Sequence, residues 1–258
     1  DGKSFARDDA GEVYRAYAFV ERAHALTGTA QPAHAREAGR AFAEFQLALA
    51  DLPAPPLVEV LPGFHDTRAR LARLERAVAA DSCGRAADAA PDIAFTRERA
   101  TLADAFSQAA ARGELVLRVA HNDTKLDNLL FDDASGHALC VVDLDTVMPG
   151  FWAHDFGDLA RSLLSGQEQH DLALLAALCE GYLGVVGTQL SAAERSWLAE
   201  APRLIALELG TRFLTDHLEG DGYFAVQQPG QNLQRARQQL ANVLALERYA
   251  GELRRMVR

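Results

Sequence analysis

Between His121 and Asp145 the chain sets three oxygen-bearing side chains, Asp123, Asn128 and Asp143, around two short apolar runs. The stretch reads His121-Asn122-Asp123-Thr124-Lys125-Leu126-Asp127-Asn128, passes through Leu129-Leu130-Phe131 to a turn at residues 132–136, and returns through Leu139-Cys140-Val141-Val142 to Asp143-Leu144-Asp145. Two carboxylates and an amide oxygen are hard donors, and Mg²⁺ takes few of these while keeping waters and phosphate oxygens. Such a set suits phosphoryl transfer, where positioning and charge neutralisation supply most of the catalysis. Asp123 would then orient the attacking hydroxyl and accept its proton, and Asn128 and Asp143 would hold Mg²⁺. Lys125 would neutralise the transferring phosphoryl group, a task for which lysine is a compact point charge. It is one of only two lysines, with Lys3, in a chain whose basic charge is otherwise arginine. His121 reads as a loop-bracing residue and Asp127 as a solvated neighbour. Asp145 either contacts metal or substrate or caps the turn that follows. Asp158 reads as a structural carboxylate that caps its helix and braces the loop.

The elements that must position these residues follow from apolar spacing. Leu115 to Ala120 predicts a buried strand that delivers the polar loop, and a hairpin ending on Asp143 follows it. Asp123, Asn128 and Asp143 would converge at one end of that small sheet. Upstream, Ser4–Arg7 and Val13–Val20 predict two strands around the turn signal Asp8-Asp9-Ala10-Gly11. After a connection at 27–32, Ala38, Phe42, Phe45, Leu49 and Leu52 form a helical stripe stopped at Pro53–Pro56. Further helices are expected at 66–80 and 93–112, the latter ended by Gly113. Beyond Pro149-Gly150, helices are expected around Leu159–Leu164 behind Asp155 and Asp158, at 168–185, from the capping box Ser191-Ala192-Ala193-Glu194 to about Glu219 with a bend near Pro202, and at 231–256. The expected fold class is α+β, mainly α, with residues 1–22 as a hairpin and hinge and 23–258 as a helical catalytic lobe.

Composition narrows the field. The chain has 258 residues, 49% of them hydrophobic, so it can bury a sizeable core. A net charge of −10 argues against general nucleic-acid binding. Apolar runs are expected to be broken by charge before a membrane-spanning length, and no leader pattern opens the sequence, so a cytoplasmic protein without membrane contact is expected. Cys83, Cys140 and Cys179 share no metal-like spacing.

The loop fits the His-x-Asp-x-x-x-x-Asn pattern of kinase catalytic loops. Asp155-Phe156-Gly157 spells the kinase metal-binding tripeptide but follows no apolar strand, so Asp143 is the better ligand. These residues resemble the aminoglycoside phosphotransferase/choline kinase-like family. Thr146-Val147-Met148-Pro149-Gly150, Asp155-Phe156-Gly157-Asp158 and Glu208-Leu209-Gly210-Thr211-Arg212, with Tyr223-Phe224, are similar to the N-acetylhexosamine 1-kinases within it. The resemblance runs from the first residues to about Phe224. It implies a protein-kinase-like C-terminal lobe and transfer of the ATP γ-phosphoryl group to the anomeric hydroxyl of GlcNAc or GalNAc, with Mg²⁺. It further implies Asp123 as base, Asn128 and Asp143 as metal ligands, and Arg212 and Tyr223 as sugar contacts. Arg212 reads equally as a helix-surface arginine, and Tyr223 as a residue that packs its loop.

One departure from the family pattern is large. No Gly-x-Gly-x-x-Gly or Walker-type loop occurs, Gly181, Gly184 and Gly187 sit in an apolar helical context, and Lys3 lies too close to the hinge to be the phosphate-clamping strand lysine. The expectation is a chain with only a short remnant of the N-terminal lobe sheet, poorly active by itself. The alternatives are a kinase of choline, homoserine or an aminoglycoside on the same machinery, and a non-catalytic kinase-like module. Oligomeric state has no signature in the sequence.

Overall fold

The computed structural model describes residues 5–26, 29–52, 57–164 and 171–258. In chain order it runs β1 (Ala6–Arg7), β2 (Val13–Tyr14), β3 (Ala23–Ala25), α1 (Pro32–Ala48), α2 (Thr67–Ala80), α3 (Ala90–Glu98) and α4 (Ala100–Ala111). The central part is β4 (Arg118–Ala120), β5 (Leu129–Asp132), β6 (Ala138–Val141) and β7 (Met148–Gly150). The helices α5 (Trp152–Leu164), α6 (Leu172–Val186), α7 (Ala192–Glu219), α8 (Gln231–Arg248) and α9 (Ala250–Met256) complete it. Lys3, Ser4, part of the 27–32 connection, the Pro53–Pro56 stop, His170 and the start of the helix expected at 168 lie outside the described residues.

Three small sheets sit against a helical body. β1 and β2 form an exposed antiparallel pair, with Ala6 opposite Tyr14. The order β3-β5-β6 makes the central sheet, with His24 opposite Phe131 and Leu130 opposite Cys140. β4 pairs with β7 rather than with the hairpin, Val119 facing Pro149. Sequence reading missed β3 and β7, because three residues are too few to show a period of two. Conversely, the strand expected over Val13–Val20 shrinks to Val13–Tyr14, and Tyr17 and Phe19 beyond it are exposed.

The helices carry the core. α1 opens with Pro32 in its first turn and a reciprocal cap between Gln31 and His34, and it buries Ala35, Ala38, Phe42 and Ala43. Its approach to α6 is close enough that a Cβ on Gly181 would overlap the Arg36 carbonyl, and one on Gly39 would lie 2.6 Å from the Leu178 carbonyl oxygen. α2 is capped by the Asp66 side chain, which accepts from the Ala69 N–H at 2.9 Å. α7 begins with both capping-box bonds between Ser191 and Glu194, continues through Pro202 and ends at left-handed Gly220.

Three helix expectations need correction. The helix expected at 93–112 is two helices meeting at Arg99, whose guanidinium stacks 3.5 Å over the Phe95 ring and pairs with Glu247. The helix expected at 231–256 breaks at Tyr249. α5 starts at Trp152, so Asp155 falls in its first turn and Asp158 in its interior. Trp152 holds that start by donating its indole N–H to the Val119 carbonyl of β4 at 3.0 Å. In addition, Leu172–Gln189 carries one charged residue, Glu180, and by length and composition alone is long and apolar enough to cross a membrane. Half of it is buried inside the protein, the signature equally of a core helix.

Candidate active site

The polar loop leaves β4 with no regular structure before a short 3₁₀ turn at Leu126–Asn128, so its shape must come from side chains. Buried Asp155 supplies much of it. One carboxylate oxygen accepts the Asn122 N–H at 2.7 Å, and the other accepts the His121 N–H at 3.0 Å and Gln46 Nε2–H at 2.7 Å. The Tyr182 hydroxyl donates to Gln46 Oε1 at 2.6 Å, so α1, α5 and α6 share one buried polar chain that ends on the loop backbone. Burial pushes the Asp155 carboxyl up, against the downward pull of Gln46 and the two backbone donors. Thr124 closes the same turn by donating its hydroxyl to the Asp155 carbonyl.

Asn122 adopts a left-handed backbone, φ 64°, and its Nδ2 donates to the carbonyls of Ala120, Thr146 and Met148. His121 is fully buried between the edge-on rings of Phe42 and Phe45. Its Nε2 lies 3.0 Å from the Val142 carbonyl and its Nδ1 accepts the Asp123 N–H at 3.3 Å, which sets the neutral tautomer protonated at Nε2.

Within this frame Asp123, Lys125 and Asn128 meet. Asp123 Oδ2 accepts from Lys125 Nζ at 2.8 Å and from Asn128 Nδ2 at 2.9 Å. The Asn128 Nδ2 also donates to the Asp123 carbonyl at 2.8 Å. Both donations use the nitrogen end of the amide and leave Oδ1 for another partner. Burial acts to lower the Lys125 pKa, but the bond to Asp123 and the charges of Asp123 and Asp143 outweigh it and hold the ammonium above its ordinary value. Asp143 follows β6 in a left-handed conformation, φ 61°, with its residue exposed. Asp145 is ion-paired with Arg15 at 2.5 Å.

A family model described as "Phosphotransferase enzyme family" matches residues 4–197, well over half of the sequence. The chain belongs to that family. In fold, this phosphotransferase family member is similar to a choline/ethanolamine kinase family protein from Mesorhizobium loti. The two are 17% identical with a TM-score of 0.54, over 98% of this chain and 77% of the other. At that identity the likeness speaks for the fold: a mostly helical C-terminal lobe with a small, unclosed N-terminal sheet, as in kinase-like bilobal proteins.

The sequence-predicted residues of this phosphotransferase family member divide into three groups. Asp123, Lys125 and Asn128 are in contact, with Asp143 in electrostatic reach of Lys125 and His121 bonded beneath them. Asp158 requires a correction. It lies in the interior of α5, not at its start, and its Oδ1 accepts two bonds from Arg161 while its Oδ2 is buried without a hydrogen bond. Asp155, one helical turn earlier, braces the loop instead.

Arg212 and Tyr223 meet each other away from the loop, with the arginine 3.4 Å from the tyrosine hydroxyl. The guanidinium lies 5.4–5.8 Å from the ring centres of Phe64, Tyr223 and Phe224, beside a cleft of about 30 Å³. Phe64 precedes His65, which touches the loop at the Asn122 carbonyl, so the two regions are joined through residues 64 and 65.

Sequence reasoning missed Gln46, Tyr182 and His65, and gave Glu208 only as part of a family motif, with no role of its own. Gln46 had a readable signal, a polar residue four places after Phe42 on an apolar stripe. Glu208, within the run Leu204–Leu209, had the same one. His65 had none.

Proposed function

We propose that this protein transfers the γ-phosphoryl group of ATP to a sugar hydroxyl, the anomeric hydroxyl of N-acetylglucosamine or N-acetylgalactosamine. The observation that carries the reading is the disposition of Asp123. Its carboxylate is held by Lys125 and Asn128, on a loop braced from beneath, and Asn128 Oδ1 and the Asp143 carboxylate remain as oxygen donors.

In this reading Asp123 takes the proton of the acceptor hydroxyl. The freed oxygen attacks the γ-phosphorus, the bond to the β,γ-bridging oxygen breaks, and ADP leaves with the bridging electron pair. Lys125 holds Asp123 Oδ2 by its hydrogen bond and offers positive charge to the phosphoryl oxygens. No group of three or more His, Cys, Asp or Glu side chains suited to a metal occurs among the described residues. Asn128 and Asp143 nonetheless fit Mg²⁺, which keeps several waters and phosphate oxygens when held by one or two protein ligands. When bound it would neutralise phosphate charge.

Arg212 and Tyr223 are assigned to the acceptor sugar, where guanidinium and hydroxyl suit an acetamido or ring oxygen. A choline-type acceptor is the less favoured reading. Quaternary ammonium groups are recognised by aromatic faces, and the rings of Phe64, Tyr223 and Phe224 already surround the Arg212 cation. The test is ADP release by the full-length protein with Mg²⁺·ATP and each of N-acetylglucosamine, N-acetylgalactosamine and choline. Turnover is expected with a hexosamine, and Asp123→Ala is expected to lower kcat by roughly 10²–10⁴-fold. Turnover of choline and neither sugar would overturn the acceptor assignment; an active Asp123→Ala would overturn the base.

A further inference from the structure

His65 stands between two acceptors. Its Nδ1 lies 2.9 Å from Glu208 Oε1, and its Nε2 lies 2.9 Å from the carbonyl oxygen of Asn122. A peptide carbonyl has no proton to give, and neither has an ionised carboxylate. Each ring nitrogen must therefore donate, and a neutral imidazole has only one N–H. Glu208 is 2% exposed and takes a second bond on Oε2 from the Thr67 hydroxyl at 2.6 Å. A buried carboxylate stays ionised only when it is paired and hydrogen-bonded. The arrangement is that of an imidazolium–carboxylate pair.

The acceptor on the loop side matters. The Asn122 carbonyl and the Asp123 N–H belong to one peptide unit. His65 donates to the carbonyl, and His121 Nδ1 accepts from the N–H. The plane is thus clamped at both ends, next to a left-handed residue, and any rotation of it would swing the Asp123 side chain.

We infer that the His65–Glu208 ion pair is a positioning device for Asp123, gripping the Asn122–Asp123 peptide from the side opposite His121. The inference rests on the reading of Asp123 as the base. The charged state has support in its surroundings. Burial acts to lower the His65 pKa, but the charge and hydrogen bond of Glu208, the Asn122 carbonyl and the charge of Asp158 outweigh it. The other titratable neighbour on α5 is His154, whose ring lies 4.9 Å away and is held neutral. From α2, Arg70 acts on the same Glu208. Burial likewise raises Glu208, yet His65 and Thr67 bring it below the ordinary carboxylate value.

The first measurement needs no acceptor and no variant. Nitrogen-15 spectra of the histidine rings in the full-length protein at about pH 7.5 are expected to show His65 protonated at both nitrogens, where an ordinary histidine is mostly neutral. A single neutral tautomer would overturn the inference. The second uses Glu208→Gln, which keeps an acceptor but removes the charge. Its kcat with ATP and N-acetylglucosamine should fall as pH rises through the reduced His65 pKa and recover on acidification, with the nucleotide KM unchanged. A wild-type pH profile in the folded variant would overturn the positioning role. His65→Gln, whose two N–H donors share one nitrogen and cannot face both ways as the two ring nitrogens do, is expected to lose kcat on the order of 10–100-fold; wild-type kcat in the folded variant would count against the inference. Should His65 be doubly protonated while Asp123→Ala retains activity, the base reading falls and takes the positioning role with it, and the ion pair stands as structure alone.

Discussion

At the scale of residues, His154 has the clearest link to pH. It is 4% exposed, stacks on Phe106 with ring centres 4.4 Å apart, and its Nε2 is buried without a hydrogen bond. Burial, with the nearby His65 charge, lowers its pKa from 6.5 to about 3. The sign follows directly. Below pH 6.5 the unfolded chain takes up a proton that the folded protein refuses until about pH 3, so this residue makes stability fall as pH falls across that window. Replacing it with Phe, which keeps the stack, should flatten the decline by up to about 1.4 kcal/mol per pH unit. Urea unfolding of both proteins at several pH values between 6.5 and 4 would read the difference, and parallel curves would refute it. The residues proposed for the chemistry could be picked out together in the sequence because Asp123, Lys125, Asn128 and Asp143 fall within one short stretch. Their supports could not, because Gln46, His65, Asp155 and Glu208 come from four separate elements, and only folding makes them neighbours.

At the scale of elements, the contact between α1 and α6 sets how the loop is backed. Gly39 and Gly181 let the two helices touch at backbone distance, and α1 carries Gln46 while α6 carries Tyr182. In Gly181→Ala the new methyl meets the Arg36 backbone, which has no flexible end to move aside. The helices must separate, at a cost of about 3 kcal/mol or more. Denaturant unfolding should show that loss, whereas Gly184→Ala, with open space around its Cβ, should not. Elements announced by end chemistry were legible. The Ser191–Glu194 box lies where spacing put it, because a capping box is a local contract between residues three apart. The breaks at Arg99 and Tyr249 were not legible, since no Pro or Gly marks Arg99 and the Gly251 near Tyr249 falls inside the next helix. At Arg99 tertiary partners supply the cause, through stacking on Phe95 and pairing with Glu247.

At the scale of the whole molecule, the family fold and the predominance of helix were readable from motif order, while the division into three separate small sheets was not. β4 pairs with a strand that lies beyond the entire hairpin. The bonds from Asp155 to the His121 and Asn122 amides also set a clock. Those two hydrogens are sealed under a carboxylate that is itself held from α1, so solvent deuterium reaches them only when the helical body comes apart. Their exchange should report the global unfolding free energy, although they sit in a loop. Amides of the exposed β1–β2 pair should exchange orders of magnitude sooner. Fast exchange at His121 and Asn122 in an otherwise protected core would mean that the loop opens by itself. Slow exchange would mean that the loop lives and dies with the fold.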